Sequence, residues 1–397
     1  MWFYLLNLSI PIIFEKTIDM KLISIIIFLI GFGIHSGSAQ NTKAFKKKMN
    51  FWMSWYHIPG AQIVFIKDGK IDYSYTFGSL EYKADQKVTP NTKFQVGKVN
   101  QIFTSLALMR TFSDKSVSKY KPINDQIKGY KLRESVLTKH HKTLPNQLLN
   151  HSGGINRPTF EPLKENIEIS SLELLKGSKL TGKKKIHNFQ TPLKSYRYSE
   201  GGFVIAKYLI EENSGQSFGE YLNSYILPKI KSPYRTNGFE IPRHERALGY
   251  DYSKWKAKDA LRYPNPSGFG MWMSAKEYAQ LVLDIFENKE LPNSMDIKER
   301  EFESFLTPVI KIKDTPFSSC SVFEKHDYEK GIYRLQHKKD GFRSTMYYDT
   351  ETKEGFIILM NSEYDYFFRK YDGKLMNKFQ KFASKFKMTS IYSKINP

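Results

Sequence analysis

Two short segments far apart in the chain constrain its fold more than any other feature. "AQIVFIKDGKIDYSYTFGSL" (61–80) sets two apolar, β-branched and aromatic runs around Asp68-Gly69, a dipeptide suited to a two-residue hairpin turn. "RSTMYYDTETKEGFIILMN" (343–361) repeats the pattern, with "DTETKEG" as the connection. An isolated hairpin is barely stable in water, so hairpins near both ends are expected to share one antiparallel sheet.

Helical periodicity fills the space between. "QIFTSLALMRTF", "SSLELLKG", "GGFVIAKYLIEENSG", "FGEYLNSYILPKI" and "SAKEYAQLVLDIFEN" follow one another, separated by Gly-, Pro- and Lys-rich loops. Leu375, Phe379, Phe382 and Phe386 recur on one helix face at the C-terminal end, and Phe45, Met49, Trp52 and Trp55 do so near residue 50. Both helices are expected to cover the sheet. The expected class is α+β: an antiparallel sheet from N- and C-terminal strands, flanked by terminal helices, with a large helical insertion. The sheet lobe would take about 40–95 and 325–397, and the helical lobe about 96–324. No internal repeat or hinge-like linker divides residues 40–397.

Residues 1–39 stand apart. Met20-Lys21, the apolar "LISIIIFLIGFGI" and the small-residue exit "HSGSAQ" form a secretory-signal pattern with cleavage after Ala39, which implies export to a periplasmic or extracellular location. An uncleaved anchor is the alternative, since "FYLLNLSIPIIF" upstream is also apolar, and it would be the chain's only route into a membrane. Cys320 is the only cysteine, which excludes an internal disulfide and a Cys-based metal site.

The net charge of +21 suits an anionic partner such as a cell-wall polymer, but it also suits a solvated lysine surface. Only "KAFKKK" (43–48) and "GKKK" (182–185) form runs, and neither carries the interleaved aromatics of a nucleic-acid groove. No phosphate-binding or dinucleotide-binding glycine motif and no H-E-x-x-H is present, so no cofactor or metal is expected. The adjacent pair His140-His141 cannot share a helix face.

Five stretches, in order, resemble the serine β-lactamase and penicillin-binding-protein-like superfamily, in its class C β-lactamase, D,D-carboxypeptidase and esterase branch. They are the 61–80 hairpin, "VTPNTKFQVGK", "LPNQLLNHSGGI" (144–155), "TPLKSYRYSEGGFVIAKYLIEENSG" and "HKKDGFRSTMYYD". The resemblance implies a β-lactamase/transpeptidase-like fold and a cleft built on a Ser-x-x-Lys helix, a Tyr-x-Asn segment and a closing strand. Matching "FQVGKVNQIFT" to the family pattern puts Lys98 at the nucleophile and Gln101 at the motif lysine. Tyr198 remains at the second motif, with Glu200 in place of Asn. His337 remains at the third, with Lys339 where glycine is expected, a change expected to narrow the cleft. Lysine has no hydroxyl with which to form the usual acyl-enzyme, and glutamine is no general base.

The resemblance therefore implies a catalytically impaired, exported relative that binds a peptidoglycan-like fragment, another small ligand or a partner near the old cleft. Two alternatives stay open: an active serine hydrolase with relocated residues, and a basic surface or cell-wall-binding protein. Ser-x-x-Lys strings at Ser116/Lys119, Ser118/Lys121, Ser253/Lys256 and Ser384/Lys387 are as frequent as chance gives for this composition. An ion pair between Lys98 and Glu200 is expected, and His151 is expected to hold the loop after a helix.

Overall fold

The computed structural model describes residues 37–363 except 159, 164–166, 180–184 and 252–256. The expected signal segment, the C-terminal helix at 375–386, positions 182–184 of the second basic run and the Ser253 and Ser384 motifs lie outside the described residues. The chain forms two compact units, residues 1–48 and 49–397.

An eight-stranded antiparallel sheet dominates the second unit. Its strands are β1 (Gly60–Lys67), β2 (Lys70–Gly78), β7 (Ile310–Lys311), β8 (Phe317–Ser319), β9 (Glu324–His326), β10 (Ile332–Lys339), β11 (Phe342–Asp349) and β12 (Glu354–Met360). They stand in the order β2-β1-β12-β11-β10-β9-β8-β7. The two hairpins join where β1 pairs with β12, from Ala61 opposite Met360 to Ile66 opposite Gly355. Two small ribbons complete the strands: β3 (Phe94–Gly97) with β6 (Met271–Met273), and β4 (Gly249–Tyr250) with β5 (Ala257–Lys258).

Turn chemistry fixes the registers. Asp68 and Gly69 both have positive φ, 50° and 69°, the left-handed pair that a two-residue turn between right-twisted strands requires. Asp340 and Gly341 repeat the device at 54° and 84°, closing β10 onto β11 with Lys339 opposite Phe342. The third-motif strand thus ends at Lys339, and Asp340-Gly341 is its turn.

The helices are α1 (Gly37–Trp55), α2 (Gln101–Ser113), α3 (Asn146–Leu149), α4 (Ser171–Lys176), α5 (Glu200–Ser214), α6 (Phe218–Tyr225), α7 (Ala275–Glu287), α8 (Leu291–Ser294) and α9 (Glu299–Leu306). Reciprocal capping boxes start two of them: Ser217 with Glu220, and Ser274 with Glu277. Helix α7 packs on β1, β12 and β2, so its apolar face covers the sheet. Helix α2 is buried on nearly every side, its polar Gln101, Thr104, Thr111 and Ser113 bonding to neighbouring groups, and it packs against α5, α6 and α9.

Two expectations change. Met49 and Trp52 of α1 are buried, but Trp55 is 62% exposed, because the last turn of the helix carries it onto the open face beside Phe51. The sheet also reaches back to Ile310, so two short strands, β7 and β8, come from sequence read as part of the helical lobe, and a third, β9, starts at its boundary. They span only two or three residues each, too few for period-2 alternation to register. Among the described residues no helix is long and apolar enough to cross a membrane.

Candidate functional site

A cleft of about 270 Å³ opens beside the start of α2, lined by Lys98, Arg157, Tyr196, Tyr198, Glu200, Phe269, Gln336, His337, Lys338 and Lys339. Four of the five positions singled out in the sequence, Lys98, Tyr198, Glu200 and His337, meet in its wall. The fifth, Gln101, lies just behind: its Nε2 donates to the Tyr198 hydroxyl at 3.3 Å and to the Gly268 carbonyl at 2.8 Å.

Strand β3 aims the first group. Gly97 ends it with φ of 69°, and an added Cβ would stand 2.2 Å from the His337 ring. The glycine is therefore required twice, by its backbone conformation and by the ring lying against it. The chain then turns through Lys98–Asn100 into α2, leaving Lys98 8% exposed at the cleft.

The expected Lys98–Glu200 pair does not form. Lys98 Nζ lies 3.6 Å from Glu324 Oε1, while Arg334 Nε donates to Glu324 Oε2 at 2.7 Å. Glu324 on β9 sits directly opposite Arg334 on β10, so sheet register carries the carboxylate to Lys98. Burial opposes both charges of this pair, with different outcomes. Glu324 faces two cations, and its carboxyl is held below the usual range despite burial. Lys98 has one carboxylate against burial and the charges of Arg334 and Arg157, and its amine is lowered from the ordinary value.

Glu200 stands instead at the first turn of α5, whose N-terminus Ser199 caps by accepting from the Gly202 amide at 3.2 Å. A helix N-terminus favours an anion, and Lys339 and Arg157 pull the same way. Burial outweighs them, pushing the carboxyl up to about 7. Its Oε2 is buried with no hydrogen-bond partner.

The rest of the wall is neutral or cationic. Burial, then the charges of Lys98 and Lys339, drive His337 down to about 3, and its buried Nε2 also has no partner. Burial and the adjacent Glu200 carboxylate push the Tyr198 phenol well above its ordinary value, so it stays protonated. Two cations, Lys98 Nζ and the Arg157 guanidinium, each lie 5.3 Å from the Tyr198 ring centroid. Lys339, expected to narrow the cleft, lines its wall and leaves it open. Its amine folds over Phe269 and Tyr263, 4.8 and 5.0 Å from the ring centroids, and donates to the Phe160 carbonyl at 3.2 Å.

His151 lies behind Tyr198, with their ring centroids 4.7 Å apart. Its Nδ1 accepts from the Ser199 amide at 3.2 Å and its carbonyl from the Arg197 amide at 2.9 Å, so it holds the loop that presents Tyr198. Ser116 is exposed and lines no part of the cleft, and Lys119 is ion-paired to Glu301 at 2.6 Å. None of the ten lining residues carries an aliphatic hydroxyl or a thiol. Among the described residues no cluster of three or more His, Cys, Asp or Glu could hold a metal ion.

Sequence reasoning missed Arg157 and Glu324. Arg157 lies in an irregular loop with no periodicity to reveal it. Glu324 had a signal only in its cross-strand pairing with Arg334, which needs the register to be known.

The Beta-lactamase family model matches residues 42–381. Protein flp of Staphylococcus aureus is 21% identical over 208 residues, covering 52% of this chain and 38% of that protein. Teichoic acid D-alanine hydrolase of Staphylococcus aureus is 21% identical over 192 residues, covering 48% and 44%. The chain thus spans less than half the length of these curated relatives. Among solved structures, a class C beta-lactamase superposes with a TM-score of 0.68 at 15% identity, over 90% of this chain and 98% of that one. The octameric penicillin-binding protein homologue from Pyrococcus abyssi gives 0.64 at 21%, over 81% and 74%. These two structures share the fold.

Proposed function

The chain belongs to the beta-lactamase family, and we propose that within it this protein is an exported, catalytically impaired member that binds a ligand in the retained cleft. One observation carries the reading: the cleft is open, yet Lys98 stands where the family pattern has its serine, and no other lining residue offers an aliphatic hydroxyl or thiol nucleophile. The lining phenols, Tyr196 and Tyr198, are both raised by burial, which keeps them protonated and poorly nucleophilic. Export is supported by the signal pattern at residues 20–39 and by a relative named for teichoic acid, and a peptidoglycan-like fragment is the ligand class that fits such a location.

Isothermal titration with soluble muropeptides tests this reading against a general basic surface. The purified protein is expected to bind them, and Arg157→Glu at the cleft mouth to weaken binding by about tenfold or more, a change of about 1.4 kcal/mol. Lys115→Glu, an exposed charge reversal outside the cleft lining, is expected to leave binding unchanged. Equal losses in the two variants would select the surface reading, for which the net charge of +21 is the supporting fact.

A further inference from the structure

The cleft's charge balance and its unpartnered atoms narrow the ligand chemistry beyond binding alone. Four cationic side chains line it, Lys98, Arg157, Lys338 and Lys339, against one carboxylate, Glu200. Lys98 is engaged with Glu324 at 3.6 Å and Lys339 lies 3.8 Å from Asp340 Oδ2, so the exposed Arg157 guanidinium, with Lys339 behind it, carries the positive charge that faces Glu200. Glu200 is 6% exposed, and its Oε2 has no hydrogen-bond partner although it lies in the wall of an open cleft. A buried polar atom without a partner destabilises the fold by its lost hydration, a cost that a bound group of the right polarity would remove.

We propose that the cleft is a proton-coupled receptor for an oxyanion-bearing ligand, in which the anion lies between Arg157 and Lys339 and accepts a hydrogen bond from the protonated carboxyl of Glu200. This rests on the cleft-binding reading above and names the recognised group. A protonated carboxyl donates to an anion, whereas a carboxylate at the same place would repel it. The groups facing Glu200 set the window. Lys339 and Asp340 approach from β10 and its turn, Arg157 and Glu161 from the loop after His151, and Tyr198 and Tyr263 from the neighbouring segments. Burial prevails over this mixed set and brings the carboxyl to about 7, so the proton is present below neutrality and lost above it. A ligand ammonium seated on an ionised Glu200 is the competing arrangement, and it reverses every expected pH and mutational effect.

The test uses the full chain and two probes whose own charges stay constant between about pH 6 and 8.5. Sulfate stands for phosphoryl-like tetrahedral anions, and acetate for carboxylates. Titration calorimetry is expected to show binding of at least one of them at about pH 6, weakened by about tenfold or more at about pH 8.5, and the stronger probe names the source. Glu200→Gln keeps the side-chain shape and cannot ionise, and should bind equally at both pH values. Arg157→Ala, at an exposed position, should weaken binding at both. Three results would overturn the proposal: wild-type affinity independent of pH, loss of binding in Glu200→Gln, or no binding of either anion at the lower pH. If that last result came with intact muropeptide binding, the cleft reading would stand and only the anion assignment would fall; loss of both would remove both.

Discussion

Glu324→Ala is expected to destabilise the protein by about 3–5 kcal/mol, because it strands two buried cations at once. The Lys98 and Arg334 side chains are only 10% and 16% exposed, and Glu324 is the carboxylate that both contact. The pair need not stabilise the fold relative to apolar residues for this to hold; the cost is that of leaving charge buried and unpaired. Urea unfolding of the variant should show the full loss. Removing Lys98 in the same background, by Lys98→Met, should restore part of it, and the double-mutant cycle gives the coupling directly. The sign of the pH dependence follows from the lowered carboxyl of Glu324. Its contribution is present above the ordinary glutamate range and is lost as acid protonates it. If Glu324→Ala cost less than about 1 kcal/mol, the range of an exposed pair, the triad would not be the buried network described.

Glu200→Gln is expected to act in the opposite direction and to depend on pH. The folded carboxyl is raised from 4.5 to about 7, so the native state holds its proton more tightly than the unfolded chain does. The penalty for ionising it is absent below the unfolded value, grows through the interval between the two, and is constant above the folded value. Glutamine avoids it. The variant should therefore match the wild type near about pH 4.5 and exceed it at about pH 8 by up to about 3 kcal/mol. Comparing variant and wild type at each pH cancels the other titrating groups. A variant less stable than wild type at the higher pH would mean that the helix N-terminus, Arg157 and Lys339 hold an ionised Glu200 after all.

What could be read from the sequence was set locally or by spacing along the chain. Asp68-Gly69 announced its hairpin because few dipeptides tolerate two consecutive positive φ angles. Helices α5, α6 and α7 were legible because their apolar residues recur at helical spacing between Gly-, Pro- and Lys-rich loops, and the structure adds a serine cap at each start. The family spacing identified Lys98, Tyr198, Glu200 and His337 as neighbours, and they do line one cleft. The pairing within that cleft was not legible. Lys98 meets Glu324 because β9 lies against β10 in one particular register, and a three-residue strand leaves too little pattern to reveal it. Arg157 was invisible for the same reason in another form, since its place depends on a loop held by tertiary contacts.

Intact-protein mass spectrometry after exposure to a fluorescent penicillin and to a fluorophosphonate tests the loss of the serine nucleophile most directly. The expected spectrum is that of the unmodified protein, with no stoichiometric adduct on any serine. An adduct that persists in Ser116→Ala and disappears with substitution of one other serine would contradict it, and would identify this chain as a working serine hydrolase whose nucleophile has moved.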